Sequence, residues 1–138
     1  MENIFLLGRI IFSIMFIGSG IGHLMDSEGS TQFAESKGVT NASTMVQLSG
    51  VTFLAGGVAI LLGIFTDLAF LLIGAQVLII GFMIHPFWKL DGADQQAEMS
   101  HFMKNLTIFG ACLMGFAFYA IGVEDNQLIG PLFEFDWN

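Results

Sequence analysis

Four apolar stretches, each near the length that spans a bilayer, constrain this chain more than any other feature. A hydrocarbon core about 30 Å thick takes roughly 20 predominantly apolar residues in a helix, and short of a closed barrel nothing else satisfies the backbone there. Residues 4–24 are interrupted only by Arg9 and small residues, and residues 45–65 carry no charge. Residues 68–84 are shorter but run on through Phe87 and Trp88, and residues 106–123 again have no charge. The expected class is all-α membrane, a four-transmembrane-helix up-down bundle: one domain over residues 1–123, followed by an acidic, aromatic tail over 124–138 in which Phe133, Phe135 and Trp137 alternate with Glu134 and Asp136.

Composition agrees with lipid as the solvent. Hydrophobic residues make up 54% of the 138, charged residues 12%, and mean hydropathy is +0.75, whereas an ordinary soluble domain is about 25% charged. A soluble enzyme and a disordered tail are thereby excluded, and the single Cys112 excludes a disulfide scaffold. Four Lys+Arg against twelve Asp+Glu leave a net charge of −8, the wrong sign for gripping a phosphate backbone, so nucleic acid is not an expected partner.

A cleaved signal peptide competes for the first stretch. Glu2 ahead of any basic residue, Arg9 inside the apolar run and Ser19-Gly20-Ile21-Gly22 as a poor cleavage sequence favour a retained helix. The tight connection at Thr66-Asp67 makes the second and third spans an antiparallel hairpin, which puts the long connections 25–44 and 85–105 on one side. Residues 30–37 read equally as a short surface helix, with Phe33 toward the membrane and Gly38 as its stop, or as an irregular loop. Lys37, Lys89 and Lys104 against Arg9 place the long connections in the cytoplasm by a small margin. Gly18-x-x-x-Gly22, Ala59-x-x-x-Gly63 and Ala111-x-x-x-Gly115 have the spacing of small residues at membrane helix contacts, consistent with a compact bundle.

This topology brings His23, His85 and His101 to one membrane face, though each alone reads as an ordinary interfacial side chain. Arg9, the one charge within the spans, lies about 40° from His23 around the first helix. A charge there marks a functional site by default, with snorkelling to the headgroups as its bland alternative. His101, Asn105 and Cys112 share a stripe if the fourth helix begins early. The candidate ligand-binding residues are therefore Arg9, His23, His85, His101 and Asn105. No nucleophile–base pair, phosphate-cradling glycine loop or CxxC motif is present, so no catalytic residue is assigned. Zinc on the three histidines with Asp26, or haem between His23 and His85, are weaker readings because the spacings follow no ligand signature. Cys112, among Ala111, Leu113 and Met114, reads as a buried, inert thiol.

Taken in order, several of these segments resemble the DoxX family: Gly8-Arg9 then Phe16-Ile17-Gly18-Ser19-Gly20, the loop Phe33-Ala34-Glu35-Ser36-Lys37-Gly38-Val39, Ala55-Gly56-Gly57 with Gly63, His85-Pro86-Phe87-Trp88, and His101-Phe102-Met103-Lys104-Asn105-Leu106 with Gly110. The resemblance runs from Gly8 to about Gly115. It implies a four-helix bacterial inner-membrane protein from a family named for a small subunit associated with quinone-linked oxidation. Some members are partners in membrane thiol or oxidative-stress complexes, and wider relatives act as assembly or cargo factors. Two departures stand out: Thr40 where members often have proline, and a second helix with Gln47, Ser49 and Thr52 but no acid, so a charge pair for Arg9 is not expected. The expectation is an accessory or quinone-interacting subunit of a membrane oxidoreductase or oxidative-stress system, its partners the bilayer and an oxidoreductase subunit or a second copy. The cofactor stays open at this point, with quinone ahead of haem or metal. A non-catalytic scaffold or assembly factor is the alternative, and small-solute transport a weaker one, since four short spans leave little cavity.

Overall fold

The computed structural model describes residues 2–121, with side chains over 4–120; the tail over 124–138 lies outside them. In chain order the helices are α1 (Glu2–Met25), α2 (Ser27–Ser36), α3 (Ala42–Leu62), α4 (Thr66–Ile84) and α5 (Gly92–Ile121), with a single 3-10 turn at Phe87–Lys89 before α5. The described residues contain no strand, and α1, α3, α4 and α5 are each long and apolar enough to cross a bilayer. Stretches as rich in Val, Ile and Phe as α3 and α4 suit strands in water. In lipid they are helical because each backbone N–H and C=O must find its partner within the segment.

The packing differs from that of a soluble bundle in placing large apolar side chains outside as well as inside. Ile11, Ile14 and Leu62 are more than 60% exposed, whereas Ser13, Gly20, Gly57, Gly74 and Gly81 are buried beside Phe16, Phe53, Ile60, Ile73 and Cys112. Lipid tails attract large aliphatic side chains as well as another helix does, so association rests on close backbone approach at small residues. A Cβ built on Gly20 would lie 2.5 Å from the Leu54 backbone nitrogen, and one on Gly57 would lie 3.0 Å from that of Ile17. Gly18 and Gly22, whose spacing suggested a contact, meet nothing within 4 Å among the described residues. Gly63 also serves otherwise: at φ +77° it ends α3 and returns its N–H to Ala59 O at 2.9 Å.

Three boundaries differ from the sequence expectation. The α3–α4 turn is Gly63 to Phe65, and Thr66 and Asp67 instead form the first turn of α4, where an acidic side chain suits the positive end of the helix dipole. Residues 27–36 are helical from an Asp26 cap, whose Oδ1 accepts from the Gly29 N–H at 3.1 Å. Gly38, at φ +82°, follows that helix, in keeping with the expected stop. The long connection expected over 85–105 shrinks to 85–91, because α5 starts at Gly92. Its 30 residues make about 45 Å of helix, well beyond a hydrocarbon core. Asp94, Glu98, His101 and Lys104 all lie in the first half, which therefore projects past the lipid as a polar stalk.

Candidate functional site

An apolar groove of about 700 Å³ lies between α2, α3 and α4, a volume typical of small-molecule sites. Val46, Leu48 and Thr52 form one wall, Leu72, Gln76, Ile79 and Met83 the other, and Phe33 and Ala34 of α2 close one end. Leu48, Leu72 and Ile79 are each more than half exposed, so the groove opens sideways toward lipid. Ala34 holds α2 in place by packing with Ala42 and Val46 of α3, flanked by Val39 and Ile84.

His23 meets Ser49 at the polar end of the groove, with His23 Nδ1 2.6 Å from Ser49 Oγ. Ser49 has one hydroxyl proton and donates it to Val46 O at 2.8 Å. Its oxygen is then the acceptor for His23, which places the ring proton on Nδ1 and leaves Nε2 as the remaining polar atom of the imidazole. A neutral ring accepts a hydroxyl proton at that nitrogen, and a protonated ring donates to a carbonyl there.

His85 follows the last turn of α4 and forms the rim. Its Nδ1 lies 2.6 Å from Glu98 Oε2, Lys37 Nζ donates to Glu98 Oε1 at 2.7 Å, and the His101 ring stacks on that of His85 with centroids 5.0 Å apart. One carboxylate on the α5 stalk thus ties the end of α2 to the end of α4. Hydrogen bonds from Lys37 and then His85 hold the Glu98 carboxyl below its ordinary range. A carboxyl lowered in the folded state contributes stability above its unfolded value, and the contribution is lost as pH falls through the folded one. Glu98→Gln at neutral pH is therefore expected to speed amide exchange severalfold over residues 33–39, the modest effect of a partly exposed ion pair, without touching α3. Variant and parent protein should converge once pH has fallen through the lowered value of the Glu98 carboxyl, where the parent too is neutral at this position. Unchanged exchange at neutral pH would show that the bracket does not hold α2.

The other candidates do not join this groove. Arg9 lies about 21 Å from His23 along α1, where its Nε and Nη2 donate to Ile60 O and Leu61 O at 3.0 and 2.6 Å. In this position it caps the end of α3. Asn105 is buried against Gly81 on the α4–α5 contact, outside the groove lining, and Cys112 is buried one contact further along, against Gly74. No three His, Cys, Asp or Glu side chains among the described residues are arranged to hold a metal ion. Sequence reasoning overlooked Gln76, the one polar side chain in the apolar run 68–84, and a lone amide at mid-span was the available signal.

Four bilayer-length helices with large apolar side chains on the outer surface, glycines at the helix contacts and a ligand-sized groove open to lipid define a multi-pass membrane protein with room for a bilayer-soluble molecule. The chain belongs to the DoxX family, whose model matches residues 4–86. That match takes in α1 to α4 and the groove, whereas the segment from His101 to Gly110 lies beyond it. Inner membrane protein YqjF of Escherichia coli (strain K12) is 33% identical over 109 residues, covering 79% of this chain and 78% of that protein. Inner membrane protein YphA of the same organism is 28% identical over 112 residues, with the same coverage of each. No solved structure matches the chain. Relatives and helices together make it a multi-pass protein of the inner membrane.

Proposed function

We propose that this protein is an accessory subunit of a membrane oxidoreductase or oxidative-stress system, and that its part is to hold a neutral, quinone-type amphiphile in the groove between α2, α3 and α4. One observation carries the reading: the groove is apolar along its walls, open to lipid, and furnished at one end with the His23–Ser49 pair. An apolar slot with a few polar groups at its head suits a ring bearing oxygen on a long hydrocarbon tail. Asp26 is the one formally charged side chain lining it, and no Lys or Arg among the described residues does, so an anionic headgroup meets no counter-charge. The chain's own residues bind and orient; the redox chemistry belongs to the partner.

Mass spectrometry of lipid extracts from protein purified in mild detergent tests this. Quinone is expected near one per chain. Ala75→Trp, which fills the groove from α4, should lower it at least tenfold without loss of the folded bundle. Parent protein that carries no quinone would overturn the proposal. A second reading, a scaffold for another membrane protein, draws on Gly18 and Gly22, whose small-residue face is open among the described residues and suits a neighbouring helix. It gains if a protein partner co-purifies, is lost with Gly18→Leu, and is indifferent to Ala75→Trp.

A further inference from the structure

The polar end of the groove accounts for one hydrogen-bonding atom of a ligand, yet the walls carry two more polar side chains deeper in the membrane. Gln76 is ten residues into the 19-residue α4, which puts its amide about 12 Å from the end of that helix. Thr52 faces the same groove from α3. Gly56 packs on Ile73, and in an antiparallel pair this register sets Thr52 and Gln76 at nearly one depth, with Ser49 about 4.5 Å from Thr52, a little under one turn, nearer the long-connection side. Neither Gln76 nor Thr52 makes a side-chain hydrogen bond with any described residue, whereas Thr107 on α5 does bond back to its own helix. An amide left without a partner at mid-membrane, on a surface built otherwise of Leu, Ile and Met, costs stability unless something polar meets it.

We infer that Gln76, with Thr52 opposite, forms a second polar locus that reads a deeper oxygen of a neutral amphiphile whose first oxygen lies at His23 and Ser49. The inference rests on the reading of the groove as an amphiphile site and adds the ligand's pattern: two hydrogen-bonding atoms about one helical turn apart on an uncharged ring, with the tail toward lipid. An amide both donates and accepts, so the deeper locus takes a hydroxyl or a carbonyl. A charged group at that depth finds only neutral dipoles and stays out.

The test compares two probes that differ by one oxygen, a decyl-tailed hydroquinone and the corresponding decyl-tailed phenol. Each is bound anaerobically to the full chain in phosphatidylcholine nanodiscs and measured by equilibrium dialysis at fixed lipid. The parent protein is expected to prefer the hydroquinone by about fivefold, the effect of one hydrogen bond in an apolar site. Gln76→Leu should erase that preference by weakening the hydroquinone alone, and Thr52→Val, of equal volume, should reduce it. If Gln76→Leu lowers the unfolding temperature, Thr52→Val carries the comparison. A preference that survives both variants, or an equal loss of both probes, overturns the deeper locus while leaving the groove as a binding site. If neither probe binds the parent protein, the groove reading and this inference fall together.

Discussion

Gly20→Ala is expected to destabilise the bundle by about 3 kcal/mol, the upper end for overpacking a closed contact. The added methyl would lie 2.5 Å from Leu54 N and 2.8 Å from both Gly50 O and Leu54 Cα, all of them backbone that no rotamer change can clear. α1 must then move away from α3 along the most extensive contact of the fold. Gly57→Ala, with Ile17 N at 3.0 Å and Ser13 O at 3.2 Å, should act in the same direction by about half as much. Gly18→Ala and Gly22→Ala should change stability in the opposite sense, by up to about 1 kcal/mol, since the methyl meets open space and alanine is the better helix former. Thermal or denaturant unfolding of the four variants in one detergent checks this. Similar losses at Gly18 and Gly20 would show that the α1–α3 contact lies elsewhere.

Arg9→Met is expected to cost about 2–3 kcal/mol, the range for hydrogen bonds made by a charged donor with a helix-dipole contribution added. The last carbonyls of any helix lack partners within it. In α3, Gly63 and Ile64 turn back to cover Ala59 O, and Gly63 also reaches Ile60 O, while Leu61 O is reached by the Arg9 guanidinium. The cation at the negative end of α3 thus bonds α1 to α3 at the terminal side. Arg9→Lys keeps the charge but loses the fork that serves two carbonyls, and a loss of about 1 kcal/mol is expected. Unfolding midpoints separate this role from ligand binding. A variant that keeps parental stability but no longer retains ligand would overturn the capping assignment.

The four spans were legible because hydropathy over some 20 residues reports directly on a backbone that has to bond to itself in lipid. The start of α5 was not, since Gly92 to Lys104 carries Asp94, Glu98 and Lys104 and so lacks the hydropathy that marks a span. Residues 30–37 read equally as helix or loop, and the packing of Ala34 on Ala42 and Val46, which no local pattern encodes, accompanies the helix over 27–36. Three histidines at one end followed from topology, but their partners did not. Ser49 is 26 residues from His23 and Glu98 is 13 from His85, and neither spacing carries a signature. Arg9 was marked by its charge, and its role stayed hidden because backbone carbonyls, which every residue possesses, leave no trace in side-chain identity.

Sequence alone therefore determined the solvent, the number of bilayer-length helices, the all-α class and the family resemblance, each of which depends on composition or order along one strand of chain. Only the tertiary structure decided which glycines carry helix contacts, where Arg9 spends its charge, and that His23, Ser49, Thr52 and Gln76 share a groove. In α3 and α4, apolar on every face, no amphipathic stripe points inward. The rotation of each helix is set by where two backbones can approach within a methyl group of one another, a property of pairs of segments that no single segment encodes.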